Sequence, residues 1–434
     1  AVTDLAGYLA LEERLFEQLD REVYAVTGSA PPRAINRYQR GSLADPARWP
    51  RDWNRSFEFE RKDPEAVVLL LHGLSDSPYS LRSPGQRLHA AGAHVFGLRV
   101  PGHGTAPSGL VDVRWQDMAA ATRLAVDDLT RRFPDKPLYV VGYSNGAALA
   151  LNHSLDAIES GESRRPDGLV LIAPSVAVCG LAAFAVWQAR LGHWVGLDKL
   201  AWNDILLEYD PFKYGSFAVN AGDVSHRITN VIQEKLAHLG TAGLETMPPI
   251  LAFSSVVDAT VEAPALVERL FNPLPPGGHE LVLFDINRQT GVEELLQWRP
   301  DAMLRALHER SDREYVLTFI SNENDGTPEV SAWRVGNDDQ KMDDMPLGMA
   351  WPEDVLSLSH VALAFPIDDP LYGAEPSPPS PGIALGNLAL RGERGALRIS
   401  ESAMLRQRWN PFYPYLERRL VEFVGLRTEP DPGE

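Results

Sequence analysis

The string in this chain best suited to chemistry is a serine bracketed by glycines: Gly142-Tyr143-Ser144-Asn145-Gly146, inside LYVVGYSNGAALALN at residues 138–152. A serine hydroxyl is a weak nucleophile until a neighbouring base takes its proton. Its surroundings therefore decide whether it reacts. Here the apolar LYVVGY reads as a strand and the Ala-rich NGAALALN as a helix, with glycines that let the backbone turn sharply between them. Such a turn lifts Ser144 Oγ out of a sheet at the N-terminus of the following helix, where the peptide dipoles favour negative charge. Upstream, His72-Gly73 follows the apolar run AVVLLL. Gly73 lets the chain bend inward so that the Leu74 N–H can face the serine, with the Asn145 N–H as a second donor. Two amides aimed at one point stabilise an oxyanion. A third string, Arg99-Val100-Pro101-Gly102-His103-Gly104, closes the next apolar run with a glycine-bracketed turn in which His103 is expected to be structural.

With HG, PGHG and GxSxG in this order and spacing, the chain resembles the α/β-hydrolase superfamily over roughly residues 56–175. The resemblance is to its serine carboxylesterases and monoacylglycerol-lipase-like enzymes. It implies an eight-stranded core, Ser144 as nucleophile, an oxyanion hole at the amides of Leu74 and Asn145, no cofactor, and an acid and a histidine in the order Ser, Asp, His. Members with an aspartate nucleophile, the dehalogenases and epoxide hydrolases, are disfavoured because Ser144 holds that position. The family's strand, Asp, x, x, Val pattern falls on ILAFSSVVDATV and puts Asp258 at a strand's C-terminal edge, where it would accept from imidazole Nδ1–H and set the tautomer. Asp285, closing ELVLFD, is its rival.

Two histidines compete for the role of base. The family's usual spacing selects His279, but that residue precedes an apolar strand and would sit at the edge opposite the nucleophile. His360 lies 102 residues beyond Asp258, after a short apolar run and at the start of a loop. That placement suits a base if an insertion separates it from the last core strands. Placement favours His360 over His279, and His308 is a more distant candidate. The resemblance implies a carboxylic ester hydrolase acting through an acyl-enzyme on lipophilic esters. A thioesterase or acyltransferase would share that intermediate, and a non-catalytic binding scaffold would share only the fold.

These groups need elements to position them. Apolar runs recur at SFEFE, AVVLLL, HVFGLRV, PLYVVGY, GLVLIAP and PILAFSSVV, separated by helix-length segments. This βαβα alternation of nearly continuous apolar runs predicts a mostly parallel, doubly wound sheet buried on both faces. Residues 4–24 have helical spacing and, with a connector, form an N-terminal part over 1–55. The core is expected over 56–175, 248–286 and 356–434, the last with a hairpin in LALRGERGALRI and a final helix in PYLERRLVEFVGL. Residues 176–247, rich in aromatics and without a clear strand, are expected to form a helical cap. Residues 287–355 form a second insertion before His360, with a helical stretch, a strand-like EYVLTFIS and a polar acidic segment. Asp368-Asp369, between Pro366 and Pro370, should shape a loop.

Composition narrows the partners. The chain has 434 residues, and 44% hydrophobic content is enough apolar material for a large core. Fifty-nine acidic against 41 basic residues give a net charge of −18, which works against nucleic acid and anionic lipid headgroups. A neutral or cationic small-molecule or lipid-like ester is the expected substrate. The single Cys179 permits no internal disulfide and leaves the compartment open. A start at Ala1 without Met suits export after leader removal, with the cytoplasm as the alternative. No H-E-x-x-H or Cys-His spacing is present, so no metal is expected. The charge-free run from Gly168 to Ala189 is split by Pro174 and Ser175, which predicts a strand and then a helix rather than a membrane span. That helix, from Val176, would carry Phe184 and Trp187 over Ser144. An open cap would then touch substrate and make transient contact with a lipid or polymer surface, whereas a fixed buried helix would only wall the pocket.

Overall fold

The computed structural model describes residues 2–31, 33–176, 201–296, 300–310, 312–336, 342–388 and 400–427. Its apolar runs assemble into one ten-stranded sheet. In chain order the strands are β1 (Phe57–Phe59), β2 (Ala66–Leu71), β3 (Ala93–Leu98), β4 (Leu138–Tyr143) and β5 (Gly168–Ile172). A separate two-stranded ribbon follows, β6 (Trp202–Asp204) with β7 (Phe217–Ala218). The main sheet resumes with β8 (Ile250–Ser255), β9 (Glu280–Phe284), β10 (Val316–Asn322), β11 (Glu329–Val335) and β12 (Met342–Ala350). The spatial order is β1-β3-β2-β4-β5-β8-β9-β10-β11-β12. The seven strands from β3 to β10 run parallel, and β1, β11 and β12 join antiparallel at the edges.

The apolar runs are unbroken because both faces of the sheet are covered. In β2, Val67, Leu69 and Leu71 enter one core while Ala66, Val68 and Leu70 enter the other. A half-exposed strand would alternate with polar residues instead. The first core is closed by α1 (Leu5–Leu19), α3 (Trp115–Arg132), α4 (Asn145–Ser160) and α5 (Val219–Leu244); the second by α2 (Arg82–Ala90) and α6 (Tyr413–Phe423). Since β5 and β8 are adjacent and parallel, the chain between them must cross over. Helix α5, packed on α4, makes that crossing, so half of the expected cap segment also serves the core.

The sheet departs from the expected eight strands. The strand-like EYVLTFIS is β10, parallel to β9, reached through the helix Asp301–Glu309. Residues 287–355 therefore extend the sheet rather than forming a body apart from it. Val330 and Ala332 of β11 point into the second core, and β12 closes the edge with Pro346, Gly348 and exposed Asp344. Proline, glycine and charge disguise a strand in sequence and discourage further pairing at an open edge, which is why the polar acidic stretch concealed one. The expected hairpin near 388–399 lies almost wholly outside the described residues. No described helix is long and apolar enough to cross a membrane.

Candidate active site

Parallel strands end at one edge, so the loops leaving β2, β4 and β8 converge there. After β4 the chain turns through Ser144 at φ 54° and ψ −113°, a conformation L-residues rarely adopt, and enters α4 at Asn145. The strained residue is pinned from both sides: its N–H donates to Ile172 O (2.9 Å), and its carbonyl accepts from the N–H groups of Ser175 (3.2 Å) and Ala147 (3.0 Å). The flanking glycines are sterically required. A Cβ on Gly142 would lie 2.5 Å from Ala147 Cα, and one on Gly146 1.9 Å from Leu71 O.

The structure brings together Ser144, His360 and Asp258. His360 Nε2 is 2.9 Å from Ser144 Oγ, and His360 Nδ1 is 2.7 Å from Asp258 Oδ2. With the carboxylate as acceptor, Nδ1 carries the proton and the Nε2 lone pair faces the serine hydroxyl. The other carboxylate oxygen, Oδ1, accepts from the backbone N–H groups of Thr260 (2.8 Å) and Val261 (3.1 Å). The Asp258 side chain is fully buried, and His360 lies against the Tyr143 ring with centroids 5.7 Å apart. Ser359, beside the histidine, donates from Oγ to Gln407 O (2.6 Å) and ties this loop to the C-terminal segment.

The rival residues are committed elsewhere. Asp285 holds Arg288 through two bonds of 2.9 Å and accepts from Ser321 Oγ. His279 opens β9 at the far edge, where its Nδ1 accepts from Ile250 N–H (3.2 Å) and burial pushes its pKa down to about 4. His103 is buried, with Nδ1 3.0 Å from Pro101 O and its ring parallel to that of Tyr214. His72 braces the turn before Leu74: its Nε2 accepts from Val100 N–H (3.0 Å), and its Nδ1–H donates to Gly73 O (2.8 Å). Asp369 shapes its loop as expected, accepting from the amides of Leu371 and Tyr372 and from Tyr79 Oη.

Ser144 and His360 open on a cavity of about 400 Å³, lined also by Leu74, Asn145, Phe217, Val219 and Val361. Among the described residues neither the Leu74 nor the Asn145 amide has a hydrogen-bond partner. Both are free to face an oxyanion. A larger cavity of about 910 Å³, between Trp49, Trp53 and the proline-rich loop at 366–381, shares no lining residue with it, and among its described lining residues no histidine accompanies the hydroxyls of Ser83 and Ser377. Of the aromatics in 201–217, Phe217 reaches the site. Phe212 instead stacks on Tyr79 and Tyr214 is buried beside His103, so part of the aromatic content serves packing rather than a lipophilic pocket. Phe184 and Trp187 lie outside the described residues. Sequence reasoning missed Lys213 and Arg406, which also line the cavity; neither belongs to a motif.

A family model described as serine aminopeptidase, S33, matches residues 62–229. Among solved structures, the chain is similar to one reported for LipS and LipT, two metagenome-derived lipolytic enzymes, at 21% identity and a TM-score of 0.42, covering 59% of this chain and 98% of that one. It is similar to a monoacylglycerol lipase of Paleococcus ferrophilus at 19% identity and a TM-score of 0.40, covering 53% and 88%. A soluble variant of monoglyceride lipase from Saccharomyces cerevisiae matches at 14% identity and a TM-score of 0.42, covering 53% and 81%. The strand order, the turn at Ser144 and the family match together identify the fold as that of the α/β-hydrolases.

Proposed function

We propose that this α/β-hydrolase is a serine carboxylic ester hydrolase working through an acyl-enzyme. The observation that carries the reading is the run of two short contacts, Asp258 to His360 to Ser144, opening on a cavity beside two unpaired amides. Ser144 Oγ attacks the ester carbonyl as His360 Nε2 takes its proton, and the amides of Leu74 and Asn145 receive the developing oxyanion. His360 then returns the proton to the leaving alcohol. Water, activated by the same nitrogen, cleaves the acyl-enzyme. Asp258 holds the tautomer and stabilises the imidazolium. Leu74, Phe217, Val219 and Val361 favour an ester with an apolar portion against that wall.

The test is labelling with a fluorophosphonate, which reacts with activated serines, followed by mass mapping of the adduct. Ser144 should carry the label. Ser144→Ala should lose both labelling and ester hydrolysis, retaining at most about 10³ to 10⁴-fold catalysis over water. Label on another residue, or undiminished hydrolysis in that variant, would overturn the reading.

A further inference from the structure

We infer that the ester this site takes carries a carboxylate, held by Arg406 in a cavity that Lys213 also lines; the inference rests on the ester-hydrolase reading above. The sequence points the other way, since a net charge of −18 suits a neutral or cationic substrate. Charge at the cavity is distributed differently. Among the described residues, and apart from the histidine, the charged residues lining it are Lys213 and Arg406, and no carboxylate does. The acids that contact these lining residues are buried: Asp258 is 4% exposed, Asp76 2% and Asp210 6%. In a chain with 59 acidic and 41 basic residues, an opening lined at random would show acids at least as often as bases.

Both cations stand on tethered backbone. The Lys213 N–H donates to Asp210 Oδ1 (3.0 Å), and the next amide, Tyr214 N–H, donates to Ser75 O (2.8 Å) in the loop after Leu74. Arg406 precedes Gln407, whose carbonyl accepts from Ser359 Oγ beside His360 (2.6 Å). The Lys213 ammonium lies 4.0 Å from Asp76 Oδ2, at the outer limit of an ion pair. Arg406 is exposed and has no carboxylate partner among the described residues. Its planar fork suits a carboxylate held by two parallel bonds. With the apolar residues Phe217, Val219 and Val361 lining the same cavity, the ligand that fits is an ester whose short apolar chain ends in a carboxylate.

Two matched sets of substrates test this. One places the charge on the acyl side: mono-p-nitrophenyl adipate, its neutral isostere p-nitrophenyl 6-methylheptanoate, and a p-nitrophenyl ester ending in trimethylammonium. The other places it on the alcohol side: 4-acetoxybenzoate and its methyl ester. In one set the wild type should prefer the anion over the neutral ester in kcat/KM by about tenfold, the scale of one charge-assisted contact. High salt should reduce that preference, because the Debye length shrinks from about 8 Å at 0.15 M to about 3 Å at 1 M. Arg406→Gln should bring the ratio close to one, Arg406→Lys should restore part of it, and Arg406→Glu should invert it toward the trimethylammonium ester. Hydrolysis with no preference for the anion in either set, or a ratio unmoved by Arg406→Gln, overturns the inference alone. Failure to hydrolyse any ester, together with no fluorophosphonate label on Ser144, overturns the ester-hydrolase reading and this one with it.

Discussion

Replacing Asp258 by Asn separates the catalytic role proposed for the carboxylate from its structural one. In the native protein Oδ1 accepts from the amides of Thr260 and Val261, while Oδ2 faces His360 Nδ1 at 2.7 Å. The amides are donors only, so an Asn side chain must turn its own oxygen toward them and its NH₂ toward the histidine. Nδ1 then becomes an acceptor and the imidazole proton moves to Nε2. There it points at Ser144 Oγ, and the base has no lone pair to offer. The expected loss in kcat is about 10⁴-fold, or about 5.4 kcal/mol of transition-state stabilisation. Stability should fall by no more than about 2 kcal/mol, because the two amides keep an acceptor. Asp258→Ala should instead lose both, since the buried Val261 N–H is orphaned at about 1–3 kcal/mol and the Thr260 N–H, on an exposed residue, loses its acceptor as well. The assay is kcat on a chromogenic ester alongside urea unfolding of both variants. An Asp258→Asn protein retaining more than a tenth of wild-type kcat would refute the argument, because an imidazole in the wrong tautomer cannot serve as base.

His360→Ala should be inactive and His279→Gln active, measured on the same ester. His279 also sets an acid-stability signature: the unfolded chain takes up a proton near pH 6.5, while the buried native residue resists it until about 4. This residue's contribution therefore falls as pH drops through that window, by about 1.4 kcal/mol per pH unit and about 3 kcal/mol in all. Urea unfolding from pH 7 to 4 should show wild type losing that much more stability than His279→Gln, and parallel curves would count against the assignment. Glu12 on α1 is buried; it accepts from Arg99 Nε (3.0 Å) and from Ser56 N–H and Oγ. Glu12→Ala should lower unfolding stability by about 3–5 kcal/mol, because it strands the buried Arg99 guanidinium. A change below 1 kcal/mol would mean the N-terminal helix is held by its apolar face alone.

Local sequence was enough where the determinants are local. The strand–Gly–x–Ser–x–Gly–helix pattern specified the turn at Ser144, because a side chain at Gly142 or Gly146 would collide with backbone only a few residues or one strand away. The parallel core was legible because burial on both faces leaves strands such as AVVLLL with no polar position. Asp258 could be placed by the end of its own strand. Which histidine lies beside Ser144 could not be read this way: His279 and His360 both follow Asp258 in sequence, and only the sheet shows that one starts a strand at the far edge while the other reaches 2.9 Å from Ser144. The reason for the long interval between Asp258 and His360 was also hidden, because β12 carries the proline and charge that protect an edge and so reads as a loop. Least visible of all was the charge of the cavity. Net charge sums every side chain, whereas a ligand meets the few that line its site, and it took the folded chain to bring Lys213 and Arg406 to the cavity and bury Asp76 and Asp258.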